Sequence, residues 1–302
     1  MVKEENSIKC NYISNKGYVV YKKNMTPDEL DKLKNKLIAT PKINPGYVEN
    51  VISFKLYQEN EDKIYIPIYY GMKHIGNVDQ KKSIKKNKKI KDIDVKFSKS
   101  MRPYQEEIIK TYMSHILKNG NMWAGGIISV GCGRGKTVMA LKIIEELKLK
   151  TLILVHKEFL MTQWRERIEE FLPDARIGYI QGKTIAVVNR DIVIGMIQSL
   201  SSPKKDEDYK KELFEDFGLV IADECHHLGA KQFSRCLTKN TFRYTLGLSA
   251  TPNRADGLTK VFKYYLGDII YRDDEIKKSE EEEKLNHIPD AIVDRIKYID
   301  KD

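Results

Sequence analysis

The rhythm of apolar and polar positions along this chain changes near residue 100. Before that point the apolar runs are short and mixed. "GYVVYK" at 17–22 predicts a strand. In "TPDELDKLKNKL" Leu30, Leu33 and Leu37 fall at helical spacing on one face, so a helix is predicted from Thr26. Thr26 suits the N-cap, Pro27 the first helical position, and Glu29 completes a capping box. "VISFKLYQE" and "KIYIPIYYG" read as two strands around the turn-like "NEDK". After residue 100, buried-strand runs alternate with helical ones. "GGIISVG" (125–131), "TLILVH" (151–156), "DIVIGMI" (191–197), "FGLVIADE" (217–224) and "YTLGLSAT" (244–251) are apolar and short. "KTVMALKIIEELKL" and "KEFLMTQWRERIEEFL" between them are helical. Strands that are apolar throughout and alternate with helices predict an α/β fold with a mostly parallel sheet covered on both faces.

Charge changes this picture in one respect. Residues 1–100 hold 21 Lys and Arg against 12 Asp and Glu, a net of +9. Residues 101–302 hold 32 against 31, a net of +1. A basic module joined to a near-neutral one suggests polyanions as partners of the first. "QKKSIKKNKKIKDIDVKFSK" at 80–99 carries nine lysines in twenty residues and reads as a solvated linker or arm. The expected organisation is a small basic α/β domain over 1–79, a lysine-rich linker over 80–99, a larger α/β lobe over 100–273, and an acidic linker over 274–302 that includes "KKSEEEEK". No apolar run is long enough to span a bilayer, and "MVKEENSIKCNYISNK" lacks the apolar core of a secretory signal. The four cysteines, Cys10, Cys132, Cys225 and Cys236, show no paired spacing, so an intracellular setting is expected.

Two stretches carry chemistry. "SVGCGRGKTVM" lies between a predicted strand and a predicted helix, where a glycine-rich turn points backbone N–H groups at phosphate. Gly133 and Gly135 allow the tight turn, Lys136 would reach the β- and γ-phosphates, and the Thr137 hydroxyl would coordinate Mg2+. Val130 occupies the first position of the pattern, where glycine is usual, and Gly131 follows it. "DECHH" at 223–227 admits two readings. Cys225, His226 and His227 could begin a zinc site, yet no further ligand stands at workable spacing. Alternatively, Asp223 and Glu224 sit at the carboxyl end of an apolar strand, as a magnesium ligand and a general base would.

Phosphate loop, carboxylate pair and the "SAT" at 249–251 occur in the order of a superfamily 2 helicase, and "DECH" resembles a DExH box. "RPYQ" at 102–105 resembles the adenine-contacting segment, "VHKEFLMTQW" and "DIVIGMIQSL" resemble nucleic-acid-contacting stretches, and "GLSATPNRADGL" resembles motif III with its tail. Within the superfamily the chain resembles the XPB-like branch, which includes transcription helicases of large DNA viruses. Arg254-Ala255-Asp256 stands where that branch carries Arg-Glu-Asp.

The resemblance implies a RecA-like P-loop lobe that uses ATP and Mg2+. Arg102, Tyr104 and Gln105 would hold the base. Gly131, Cys132, Gly133, Arg134, Gly135, Lys136 and Thr137 would cradle the phosphates. Asp223 and Glu224 would serve metal and water, and His226, Ser249, Thr251 and Arg254 would couple nucleotide to nucleic acid. Gln163, Gln198 and Ser199 would touch one strand's backbone. The implied partners are nucleic acid, DNA before RNA, and a second RecA-like lobe in cis or trans. The implied setting is nucleus or cytoplasm, or a viral factory or virion if the chain is viral. No "QxxGRxxR" stretch is present, so the chain reads as the N-terminal part of a longer helicase, weakly active alone. The alternative is a non-motor nucleic-acid-binding module that uses ATP as a conformational ligand. The motor part of a restriction or remodelling enzyme shares the same core.

Overall fold

A computed structural model describes residues 10–42, 52–86, 90–118, 123–202, 211–225, 230–251, 253 and 256–273. The first third is built on a four-stranded antiparallel sheet. It contains β1 (Tyr12–Ser14), β2 (Gly17–Tyr21), helix α1 (Pro27–Lys36), β3 (Ile38–Ala39), β4 (Phe54–Lys55), β5 (Gln58–Glu59), β6 (Lys63–Ile66) and helices α2 (Ile68–His74) and α3 (Gln80–Lys86). The strand order is β1-β2-β6-β5, and β3 pairs separately with β4. The capping box forms as its residues predict: the Glu29 N–H donates to Thr26 Oγ1, and the Thr26 N–H donates to Glu29 Oε2 at 2.8 Å. Leu33 and Leu37 are buried, and Leu30 packs against them.

Three expectations for this region need correction. Residues 51–59 do not form one strand. At Leu56 and Tyr57, both buried, the chain leaves its pairing with β3 and begins one with β6, so β4 and β5 are separate. The strand expected over 63–71 stops at Ile66, because Pro67 has no N–H to give a ladder. Proline instead stands at the N-cap of α2, which buries Ile68 and Tyr70. The lysine-rich segment is not simply solvated. Ser83 of α3 is buried and accepts the N–H of Ile13 at the edge of β1. Farther on, Lys91 and Ile93 form backbone hydrogen bonds with Asp216, Lys150 and Lys148, while Ile93 and Val95 enter the core. Four apolar side chains (Ile90, Ile93, Val95 and Phe97) and a run of backbone pairing outweigh the lysine count, since lysine heads reach water while the chain beneath them docks.

The rest of the described chain forms an eight-stranded sheet. Its elements are α4 (Pro103–Leu117), β7 (Ala124–Ser129), α5 (Lys136–Leu147), β8 (Thr151–Val155), α6 (Glu158–Phe171), β9 (Ile177–Gln181), β10 (Thr184–Ala186), β11 (Ile192–Met196), α7 (Ile197–Leu200), β12 (Leu219–Ala222), α8 (Ala230–Leu237), β13 (Tyr244–Ser249), α9 (Thr259–Leu266) and β14 (Ile269–Arg272). The order is β10-β9-β11-β8-β12-β13-β7-β14, and every pairing but that of β10 with β9 is parallel. β7, β8, β12 and β13 are buried along their whole length. Separate apolar clusters cover the two faces, as the continuous apolar runs require. This is the α/β fold expected of a RecA-like P-loop lobe. The two sheets meet through α2 and α9. The Tyr70 and Tyr264 rings pack edge to face at 4.8 Å, and the hydroxyls of Tyr69 and Thr245 lie 2.8 Å apart. No helix among the described residues is long and apolar enough to cross a membrane.

Candidate active site

Parallel strands leave their carboxyl ends on one edge of a sheet, and ligands bind outside that edge. Here β7, β13 and β12 are neighbours, so the segments that follow them converge. The loop from Val130 to Gly135 joins β7 to α5. Gly133 has φ 76° and Gly135 has φ 80°, conformations that exclude most side chains. Gly135 is the N-cap of α5, and the first turn of that helix presents free N–H groups and the positive end of its dipole to the loop. Lys136 is 9% exposed, and its ammonium lies 3.2 Å from Glu224 Oε1 and 3.3 Å from the Val130 carbonyl. Gln105, Lys136, Thr137, Asp223 and Glu224 line one cleft of ≈ 520 Å³.

Gly135 answers to a second constraint. A methyl group on its Cα would lie 2.3 Å from Gln105 Nε2. That amide donates to the Arg134 carbonyl, while Gln105 Oε1 accepts the Arg102 N–H, so the glutamine ties the start of α4 to the phosphate loop. The Tyr104 hydroxyl donates to the same Arg134 carbonyl, and the Arg134 guanidinium stacks 4.4 Å above the Tyr104 ring. Gly135→Ala is therefore expected to cost about 1–2 kcal/mol in backbone strain alone. Displacement of Gln105 should weaken nucleotide binding by about tenfold or more, or ~1.4 kcal/mol. Thermal unfolding and titration with a fluorescent ATP analogue measure both, and unchanged values would contradict the packing argument.

Asp223 follows β12 and is 6% exposed. Its Oδ1 accepts the Glu224 N–H at 3.0 Å, and its Oδ2 accepts the Trp164 indole N–H at 2.7 Å. Burial pushes the Asp223 carboxyl up, and the Trp164 hydrogen bond opposes that shift. Glu224 has φ 44°, a left-handed conformation uncommon for a residue with a side chain and concentrated at functional sites. Ser249 ends β13 fully buried, and its carbonyl accepts the Val130 N–H at 3.1 Å, so this segment abuts the phosphate loop. Thr251 is exposed just beyond it. His226 and Arg254 lie outside the described residues.

The three glutamine and serine positions expected to act together do not lie together. Gln198 donates to the His156 carbonyl at 2.7 Å, and Ser199 Oγ accepts the Gly182 N–H at 2.9 Å. Both stand on the same sheet edge as the cleft, but at the ends of β8, β11 and β9. Gln163 faces the other way, into the wall of the phosphate cleft. Its neighbour Trp164 turns inward from α6, and the helical step between adjacent residues sends Gln163 to the cleft side.

Sequence reasoning missed Trp164 and Asp273. The polar tip of a buried tryptophan asks for a partner, and that was the available signal for the first. Asp273 Oδ2 accepts the Gly131 N–H at 2.9 Å, a contact 142 residues apart that carries no local signal.

Of the residues of the zinc reading, His226 and His227 lie outside the described residues, among which no three of His, Cys, Asp and Glu come together to hold a metal ion. Cys225 is 2% exposed within the core. Cys236 is buried as well, and burial pushes its thiol up to about 12.

The family described as "Type III restriction enzyme, res subunit" matches residues 98–254. A protein of Acanthamoeba polyphaga mimivirus, provisionally named an ATP-dependent RNA helicase, is 35% identical over 274 residues, which are 89% of this chain and 50% of that protein. A protein of Invertebrate iridescent virus 6, provisionally named a helicase, is 32% identical over 282 residues, covering 86% of this chain and 58% of its own length. The DNA 3'-5' translocase XPB2 of Sulfurisphaera tokodaii is 36% identical over 177 residues, which are 57% of this chain and 35% of that protein. The chain thus spans about half the length of the two viral relatives. Among solved structures, the UvsW helicase of bacteriophage T4 has the same fold, with a TM-score of 0.57 at 15% identity, covering 86% of this chain and 98% of that one.

Proposed function

Because this chain belongs to the Type III restriction enzyme, res subunit family and is a partial superfamily 2 helicase, we propose that it is the N-terminal module and first lobe of an XPB-like motor. In this reading ATP hydrolysis drives movement along, or separation of, nucleic acid in transcription or repair. The observation that carries it is the meeting of Lys136, Thr137, Asp223 and Glu224 in one cleft beneath the start of α5. The small domain over 1–79, the segment over 80–99, the lobe over 100–273 and the linker over 274–302 are the corresponding parts.

The residues take these roles. The N–H groups of the loop and of the first turn of α5 receive the phosphates, and Lys136 exchanges its partner Glu224 for phosphate oxygen. Glu224, released, orients and deprotonates the attacking water. Arg102, Tyr104 and Gln105 are assigned to the base, and Arg102 and Gln105 line the cleft. Gln163, on the cleft wall, is reassigned from nucleic acid to nucleotide. Gln198 and Ser199 keep their assignment to nucleic acid, and Ser249, Thr251, Arg254 and His226 keep the coupling role that their motifs imply.

The donor set suits Mg2+. Asp223 and Thr137 offer hard oxygens to the cleft, and among the described residues no three of His, Cys, Asp and Glu come together, as fits an ion held mainly by water and phosphate. Thr137 and Asp223 would hold it, and it would offset the phosphate charge. DNA is preferred because a relative is a DNA translocase. The mimivirus relative is named for RNA, so both are tested.

The test is equilibrium binding of an ATP analogue and of labelled single- and double-stranded DNA and RNA to this chain and to Lys136→Ala. The unaltered chain is expected to bind ATP with Mg2+ and to bind DNA more tightly than RNA. DNA affinity should fall steeply with salt, as counterion release requires. Lys136→Ala should lose the nucleotide and keep the DNA. A chain that binds no ATP sinks the reading, and strand separation by this chain alone sinks the division of labour.

A further inference from the structure

The deepest acidic group of the cleft has a partner that no sequence motif announces. Trp164 lies on α6, 1% exposed, and its indole N–H reaches Asp223 Oδ2 at 2.7 Å across 59 residues of sequence. The other carboxylate oxygen accepts the Glu224 N–H at 3.0 Å. The two donors come from different elements, a helix and the turn after β12. Together they fix the plane of the carboxylate and leave it lone pairs for a ligand, and Asp223 still lines the cleft. Neither partner can leave cheaply. A buried indole N–H without an acceptor and a buried carboxylate without a donor are each costly. The preceding residue on α6, Gln163, lines the same cleft.

We infer that Trp164 is a positioning residue whose indole N–H holds the Asp223 carboxylate in the orientation that receives Mg2+. The inference rests on the nucleotide reading above. Partners that orient a metal ligand set 10–100-fold in metal affinity when removed. The indole is also placed to report the metal's arrival.

Two measurements test it. In the first, Trp164→Phe keeps the ring and removes the N–H. The Mg2+ concentration for half-maximal retention of a fluorescent ADP should rise by about tenfold or more, while ADP binding in EDTA stays as it was. An unchanged Mg2+ requirement in a folded variant overturns the assignment.

The second leaves Trp164 itself in place. The chain has two tryptophans, and the Trp123 indole has no hydrogen-bond partner among the described residues. In Trp123→Phe a single indole N–H resonance remains. It should be protected from solvent exchange, shift on adding Mg2+ with ADP, and shift on Asp223→Asn without ligand. A resonance indifferent to Asp223→Asn overturns the contact even if Trp164→Phe does not fold. If the unaltered chain binds no ADP with or without Mg2+, the nucleotide reading falls and this inference with it. If it binds, and only the Trp164 results fail, the nucleotide reading stands.

Discussion

Joined to a second RecA-like lobe, this chain is expected to hydrolyse ATP on the order of 10³–10⁵ times faster than it does alone, the range an arginine finger is worth. The physical reason lies in where the cleft's own cations point. Lys136 is paired with Glu224 at 3.2 Å. The Arg134 guanidinium lies over the Tyr104 ring, and its Nε is 3.7 Å from Asp273. Arg167 lines the cleft from α6, but it is paired with Glu170 at 2.5 Å. Arg102 also lines the cleft, and its Nη1 donates to the Tyr104 hydroxyl at 3.4 Å, so these three arginines all have partners within the chain. The viral relatives are about twice as long as this chain, so a second lobe has room in such proteins. Steady-state turnover at saturating ATP and nucleic acid, measured for this chain and for the chain extended through its second lobe, decides the matter. Equal rates would mean that the finger comes from these residues or from a second copy.

Glu224→Gln should lower the hydrolysis step by about 10²–10⁴-fold, the usual contribution of a positioned general base, with ATP still bound. Glutamine keeps the volume and can keep the left-handed backbone at φ 44° no worse than glutamate does. It removes the charge that pairs with Lys136 at 3.2 Å. Freed of that partner, Lys136 should hold phosphate at least as well. Single-turnover hydrolysis, followed beside nucleotide affinity, separates the two effects. A Glu224→Gln chain that hydrolyses within a few-fold of the unaltered rate would show that the ion pair is structural and that the base lies elsewhere. Lys136→Ala differs in kind, since it should lose binding before chemistry.

Some of this was legible because it is local. A glycine that must adopt positive φ, a lysine at the head of a helix and a threonine after it lie within eight residues, so their spacing carries their geometry. The capping box at Thr26 and Glu29 is a three-residue matter, and it formed as written. Apolar runs without polar interruption require cover on both faces, which only a parallel sheet between helices supplies. From these the α/β class, the phosphate loop and the carboxylates at the end of β12 follow from composition and order alone.

Other features were decided by what tertiary packing brought alongside. Periodicity said that α6 buries a face but not which element would meet it. The strand order set that face against Asp223, which gave Trp164 an acceptor and sent Gln163 into the cleft. The same order laid β14 beside β7 and placed the Asp273 carboxylate on the Gly131 N–H. Lysine density argued for a solvated 80–99 segment, yet Ile93 and Val95 found a core to enter and Lys91 found backbone to pair with. A hydrogen bond across 59 or 142 residues depends on the folding of everything between its ends, and no short window of sequence contains that information.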